Sequence, residues 1–193
     1  MKYVNIEVLE TTHLILRRFR ESDVADFYAR VGGNEKITKY MLWEPHKSVE
    51  ETKSSVEKIL RRYETENAYT WAIARKEDDS VIGRIDLLRI DEAEESCSFA
   101  YMIGDAYWGQ GLGTEVLAAV FAFAFEKMEM KLIVADHMSE NGASGAVMRK
   151  VGMRHVGVCK DRYEKAGIVY NADEYSITYE QWQENVKSGR EKC

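Results

Sequence analysis

Proline, histidine and cysteine are scarce in this chain: one, four and three in 193 residues. Cys97, Cys159 and Cys193 are odd in number and lack Cys-x-x-Cys spacing. That argues against a disulfide framework and for free thiols in a reduced, cytoplasmic protein. His13, His46, His137 and His155 show no metal-ligand spacing, so no metal is expected. No run of about 18 apolar residues is present, which excludes a membrane-spanning helix of ordinary length. Met1 to Glu10 carries Glu7 and Glu10 and has no long apolar stretch, unlike a signal peptide. Basic charge is also short, 27 Lys and Arg against 33 Asp and Glu, so nothing points to nucleic acid as a partner. The net charge of −6 weakly favours an amine-bearing partner, although solubility explains it equally well.

What is present is ordinary for a globular protein, 45% hydrophobic and 31% charged residues, and the length suits a single domain over residues 1–193. Thr12 to Phe19 alternates like a strand. Ser22 is placed to cap a helix with Val24, Phe27, Tyr28 and Val31 on one face, ended by Gly32 and Gly33. Ser48 and Glu51 match a capping box ahead of a second helical face, Val49, Val56, Ile59, Leu60 and Tyr63. Between these helices lies the aromatic segment Tyr40 to Pro45. Tyr69 to Arg75, Val81 to Leu88 and Cys97 to Ile103 read as strands joined by acidic, solvated hairpin tips.

Further on, a strand is expected over Lys131 to Asp136 and a helix over Asn141 to Val151, with Gly152 at its C′ position. Met153 to Lys160 and Asp173 to Tyr179 read as the last strands, joined by a loop from Asp161 to Asn171. The order predicts an α/β fold, with one mixed sheet of about seven strands, helices on both faces and one parallel pair formed by a β-α-β crossover.

Tyr107 to Glu115, Tyr-Trp-Gly-Gln-Gly-Leu-Gly-Thr-Glu, is the most informative segment. Glycines at every second position clear side chains from a loop that runs into an apolar helix, and a helix N-terminus offers free N–H donors and positive potential. Two readings fit this segment alone: a phosphate cradle, or a turn that lets the helix pack closely on a sheet. A P-loop is excluded, because no lysine lies between Gly113 and Thr114. A dinucleotide fingerprint has a different glycine spacing and follows the first strand.

With Val81-Ile82-Gly83, Ala100-Tyr101-Met102-Ile103, Glu140-Asn141-Gly142-Ala143-Ser144, Met148 to Met153, Asp173 to Ile177 and Glu180-Gln181-Trp182 in the same order, the chain resembles the GNAT superfamily of acyl-CoA N-acyltransferases. Within it, the chain is similar to the ribosomal-protein-alanine N-acetyltransferase branch, whose first strand Thr11 to Arg18 also resembles. The resemblance implies a GNAT-like fold with a splayed parallel strand pair and acetyl-CoA as co-substrate. It implies transfer by direct attack of a primary amine, without an acyl-enzyme.

By the resemblance, the donor side comprises Met102, Ile103, Trp108, Gly109, Gln110, Gly111, Leu112, Gly113, Thr114 and Asn141. Backbone amides of the loop would bind pyrophosphate, main chain near Met102 and Ile103 would pair with the pantetheine arm, and Asn141 would hold that arm from the other side. Asn141 also suits a helix N-cap, and the two roles are compatible. The chain departs from the superfamily pattern at Trp108, where Arg or Gln is frequent. It departs at Met148, where many relatives place a proton-donating Tyr, and at Ser98, where relatives often carry Glu.

Ser144 is then the hydroxyl expected to serve the leaving thiolate, or else a plain first-turn serine. Glu164 matches a catalytic Glu of relatives as general base, or else is a solvated loop residue. Tyr40 and Trp43 either wall an acceptor channel or pack the helices on the sheet. The acceptor expected from the resemblance is a protein or peptide N-terminal α-amine. A small amine (polyamine, amino acid or aminoglycoside) and a non-catalytic acyl-CoA-binding protein are the alternatives. Dimers are frequent in the family, which leaves a homodimer open.

Overall fold

A computed structural model describes residues 1–65 and 68–189. Cys193, counted above among the free thiols, lies outside the described residues. The strands are β1 (Leu9–Glu10), β2 (Leu14–Arg17), β3 (Tyr69–Arg75), β4 (Val81–Asp91), β5 (Ser96–Ile103), β6 (Leu132–Met138), β7 (Arg154–Lys165) and β8 (Ile168–Thr178). The α-helices are α1 (Val24–Phe27), α2 (Glu35–Thr38), α3 (Val49–Thr65), α4 (Leu112–Ala122), α5 (Gly142–Lys150) and α6 (Tyr179–Lys187). One mixed sheet holds all eight described strands in the order β1-β2-β3-β4-β5-β6-β8-β7, one more strand than expected because β1 adds a short edge.

β3 shows how the sheet is covered. Tyr69, Trp71 and Ile73 enter one core with Val116, Leu117, Val120 and Phe121 of α4 and Trp182 of α6, while Ala72 and Ala74 enter a second core with Phe27 of α1 and Val56 and Ile59 of α3. A strand buried on both faces reads as continuous apolar sequence, as β3 does. The first helical layer is tied to β2 by a buried bidentate pair, Arg17 to Asp23 at 2.8 and 2.9 Å.

β5 and β6 are the parallel pair, and they are hydrogen-bonded neighbours only at Ser96↔Leu132, Cys97↔Ile133 and Ser98↔Val134. Beyond Ser98 and Val134 both strands continue and diverge, which is the splay that the site is built on. On its other side β5 runs in register with β4 from Ser98 to Ile103. Close approach there requires Gly83, because a Cβ on it would lie 2.3 Å from the Met102 carbonyl oxygen.

Four local expectations are corrected. Ser22 does not cap the first helix; it sits in a 3₁₀ turn, Glu21–Asp23, and the Asp23 carboxylate instead accepts the Arg20 N–H at 2.7 Å. The helix then passes through a π turn, Tyr28–Gly32. The acidic tip at residues 77–80 is not wholly solvated, since Asp79 accepts from Arg17 at 2.9 Å and Arg20 at 2.6 Å. Asp161 to Asn171 is not a loop but the end of the β7–β8 hairpin, turned at Ala166 (φ 50°) and Gly167 (φ 75°). Two successive positive φ values fit a two-residue hairpin turn, and alanine there hides the usual Asn-Gly signal.

The Tyr40 to Pro45 segment is pinned at its end by His46, whose N–H donates to Gly32 O at 2.8 Å and whose Nδ1 lies 2.7 Å from Thr52 Oγ1. Burial lowers the His46 pKa from its ordinary value of 6.5. The folded pKa therefore lies below the unfolded one, so the stabilisation is complete above pH 6.5 and is lost as pH falls through the depressed value.

Gly83→Ala is expected to lower stability by about 1–3 kcal/mol in urea denaturation, as overpacking does; an unchanged midpoint would mean that β4 and β5 part without cost. On acidification from pH 7.5 to 5.5, amide exchange corrected for intrinsic rates should rise in residues 40–47 more than in β3. Equal protection at both pH values would refute the His46 account.

Candidate active site

The divergence of β5 from β6 opens a cleft of about 1220 Å³, larger than a single small-molecule pocket. One end of it is the glycine loop. Gly109 and Gly111 have φ of +75° and +81°, and nothing lies within 4 Å of a Cβ built on either, so the loop faces open space. Gly113 differs, since its Cβ would rest in ordinary contact with Tyr101 and Val147 at 3.5 Å. Gly111 is the residue ahead of α4, and the first N–H bonded inside the helix is that of Glu115, to Gly111 O at 3.1 Å. The N–H groups of Leu112, Gly113 and Thr114 precede it and point out of the helix end. Glu115 anchors this end to the β1–β2 turn by accepting from Thr11 and from the His13 N–H at 2.7 Å.

The loop is held from both sides. The Trp108 indole, 53% exposed, donates to Ile103 O at 2.7 Å, and Gln110 Nε2 donates to Ala106 O at 3.0 Å. Gln110 thus braces the loop and does not line the cleft, unlike Trp108, Gly109, Gly111, Leu112, Gly113 and Thr114.

Main-chain direction along β5 follows from one hydrogen bond. Gly104 N–H donates to Ile82 O at 2.8 Å, which makes Ile103↔Gly83 a non-hydrogen-bonded pair of the antiparallel ladder. By alternation, Ile103 and Tyr101 turn their N–H and C=O groups away from β4 and toward the splay, while Met102 turns its own toward β4. Met102 and Ile103 both line the cleft, but the Ile103 carbonyl already accepts from Trp108. Tyr101 therefore offers the open main-chain pair, a residue that the sequence alone does not single out for this.

Across the splay stands α5. Asn141 caps it, its side chain accepting the Ser144 N–H at 3.4 Å, and both residues line the cleft. The Tyr101 side chain lies beside Ser144, and burial pushes the Tyr101 phenol up to about 12, with the serine contact working against it. Met148, one turn on, is buried and brings no hydroxyl.

On the other face of the sheet the floor is Ser98, Ala100 and Met102 of β5, Arg84 and Asp86 of β4, and Val134 and Asp136 of β6. Ser98 donates to Leu88 O at 3.3 Å. Asp86 is buried and accepts from Thr70 at 2.6 Å and from Arg84 at 2.7 Å. Asp136 accepts from Tyr163 and lies 3.4 Å from Arg162, and burial followed by Asp136 pushes the Tyr163 phenol up to about 12. Tyr40 and Trp43 line the cleft above this floor, and Trp43 also packs on the second core and lies 5.3 Å from the His46 ring. Lys165 at the hairpin end reaches over to donate to Thr38 O at 2.6 Å.

Glu164 is exposed, pairs with Val169 next to the hairpin turn, and does not line the cleft. The acids that do line it are Asp86, Asp136, Glu140 and Glu174. Only knowledge of strand register would have brought Asp136, Tyr163 and Glu174 together. Among the described residues no group of three or more His, Cys, Asp or Glu is set to hold a metal ion, and no helix is long and apolar enough to cross a membrane.

This arrangement can be compared with known proteins. The profile of the acetyltransferase (GNAT) domain matches residues 13–154. The uncharacterized N-acetyltransferase YoaA of Bacillus subtilis is 26% identical over 170 residues, covering 88% of this chain and 96% of its own. The [ribosomal protein uS5]-alanine N-acetyltransferase of Escherichia coli is 24% identical over 162 residues, covering 79% of this chain and 81% of its own. Among solved structures, RimL, the ribosomal L7/L12 alpha-N-protein acetyltransferase in complex with coenzyme A, superposes with a TM-score of 0.76 at 22% identity, covering 89% of this chain and 98% of its own. With a domain profile that takes in well over half of its length, this chain belongs to the GNAT family of acetyltransferases.

Proposed function

We propose that the protein transfers an acetyl group from acetyl-CoA to the N-terminal α-amine of a protein or peptide. The observation that carries this reading is the coincidence of an open helix N-terminus at Leu112 to Thr114 with the unpaired edge of β5 at one cleft. A pyrophosphate fits the first and an extended amide-bearing arm fits the second. Trp108, Gly109 and Gly111 shape the phosphate end, Gln110 braces it, and Asn141 borders the arm from α5.

Transfer requires a neutral amine, a route for charge on the carbonyl oxygen and a donor for the departing thiolate. Ser144 serves the thiolate. Tyr101 stays protonated to about 12 and its hydroxyl bears on Ser144, so the pair supplies the hydroxyl chemistry that Met148 lacks.

The acceptor is read from the floor and the wall. Val134 is 37% exposed in the open floor, which suits an extended chain end. Asp86 and Asp136 each face an arginine, so the floor is not the uncompensated acidic trap a polyamine would select. The names of the Escherichia coli and RimL relatives, which act on ribosomal-protein N-termini, support the same choice. A small amine is the second reading, favoured by Glu174, which has no ion pair in the cleft.

Mass spectrometry of Ala- and Ser-starting peptides, spermidine and kanamycin incubated with acetyl-CoA should show the mass gain of a single acetyl group on the peptides; acetylation of spermidine alone would sink the peptide reading. Gly111→Ala should weaken acetyl-CoA binding about tenfold in calorimetry, since a side chain at positive φ costs ~1–2 kcal/mol and enters the open face. Gly113→Ala should leave binding near wild type, and equal effects of the two would refute the cradle. Ser144→Ala should lower kcat by about 10²-fold with acetyl-CoA affinity retained; an undiminished single-turnover rate would remove Ser144 from the chemistry.

A further inference from the structure

We infer that Glu174 is the general base that takes the proton from the acceptor amine, an assignment that rests on the acetyl-transfer reading above. The divergent strands meet at Ser98 and Val134, so an acyl arm lying along β5 ends its reach at that closed end. On the floor face, the next β6 residue past Val134 is Asp136, and β8 places Glu174 directly opposite it. Residues opposite in an antiparallel pair carry Cβ atoms about 4.5–5.5 Å apart on the same face. Glu174 thus stands one strand to the side of the point where the thioester carbonyl would come to rest.

The other cleft carboxylates are committed or misplaced. Asp86 is closed off by Thr70 and Arg84, and Asp136 by Tyr163 and Arg162. Glu140 is exposed at the turn ahead of α5. Glu174 is half-buried, lines the cleft, and among the described residues has no hydrogen bond or salt bridge. Its oxygens remain available for an incoming ammonium.

The step balances without a further reactant. Glu174 carboxylate removes one proton from R–NH₃⁺, and the amine lone pair then attacks the thioester carbonyl carbon. The C–N bond forms, the C–S bond breaks, and the thiolate leaves protonated by the Ser144 hydroxyl, which regains the proton lost from the tetrahedral nitrogen through solvent. Glu174 returns its own proton to solvent. The net products are the amide, CoA–SH and one proton. An α-amine with a pKa near 8 is already partly neutral at pH 7.5, so the base matters most below that value.

The test compares wild type, Glu174→Gln, Glu174→Asp and Glu164→Gln on an Ala-starting peptide and on spermidine with acetyl-CoA, between pH 6 and 9.5. Expected is a kcat/KM loss of about 10²-fold for Glu174→Gln at pH 7, within the range for a general base, shrinking as pH passes the amine pKa. Glu174→Asp should recover part of the loss, Glu164→Gln should behave as wild type, and acetyl-CoA affinity and thermal midpoint should hold in all. A Glu174→Gln enzyme with wild-type kcat/KM and an unchanged pH profile overturns the assignment alone. So does an equal loss at every pH, which marks binding and not proton transfer. Wild-type protein that binds acetyl-CoA and acetylates neither amine overturns the transferase reading, and the assignment with it.

Discussion

When β5 parts from β6 after Ser98 and Val134, a strip of main chain inside a sheet is left facing a gap where a neighbouring strand would be. Each buried N–H or C=O left without a partner costs about 1–3 kcal/mol, so a splay can persist only if something else meets those groups. The chain answers part of the demand itself. The Trp108 indole takes the Ile103 carbonyl, and Gly83 lets β4 pair closely with the opposite edge of β5. The remaining groups face the open cleft, where water or an extended ligand can meet them.

The rest of the site can be traced to that gap. α4 begins where β5 ends, so its free amides face the same opening. α5, started by the Asn141 cap, stands across it, and the contact between Tyr101 and Ser144 joins the two walls. The floor sets Ala100 and Met102 of β5 between Arg84 and Asp86 on β4 and Asp136 and Glu174 on β6 and β8. Free amides thus mark one end of the cleft, and side-chain charges flank an apolar strip on its floor.

Legibility in the sequence followed the range of the interactions. The glycine loop, the Asn141 cap and Gly152 could be read because each is decided within a few residues by φ or by a side chain reaching its own backbone. The single mixed sheet and the parallel pair followed from apolar periodicity and the crossover. The floor of the cleft did not, because it depends on register. Tyr163 and Glu164 are neighbours on β7, and alternation sends only the first toward Asp136. An alanine at the hairpin turn and charged residues along the strand disguised the hairpin as a loop, which left the position of Glu164 undecided. Glu174 lies inside a motif that the family resemblance already marked, yet its face became known only once β8 was set beside β6.

The hydrogen bond from Lys165 to Thr38 joins residues 127 positions apart, and the pairs Asn34 to Asp105 and Lys36 to Asp105 span 71 and 69. The elements from β4 through α5, which frame the rest of the cleft, are by contrast nearly continuous in the chain. Contacts of long sequence separation are the slow ones to form. The wall at Thr38 is therefore held by a contact that crosses most of the chain, and it is complete only when the helices near the start and the hairpin near the end are both in place.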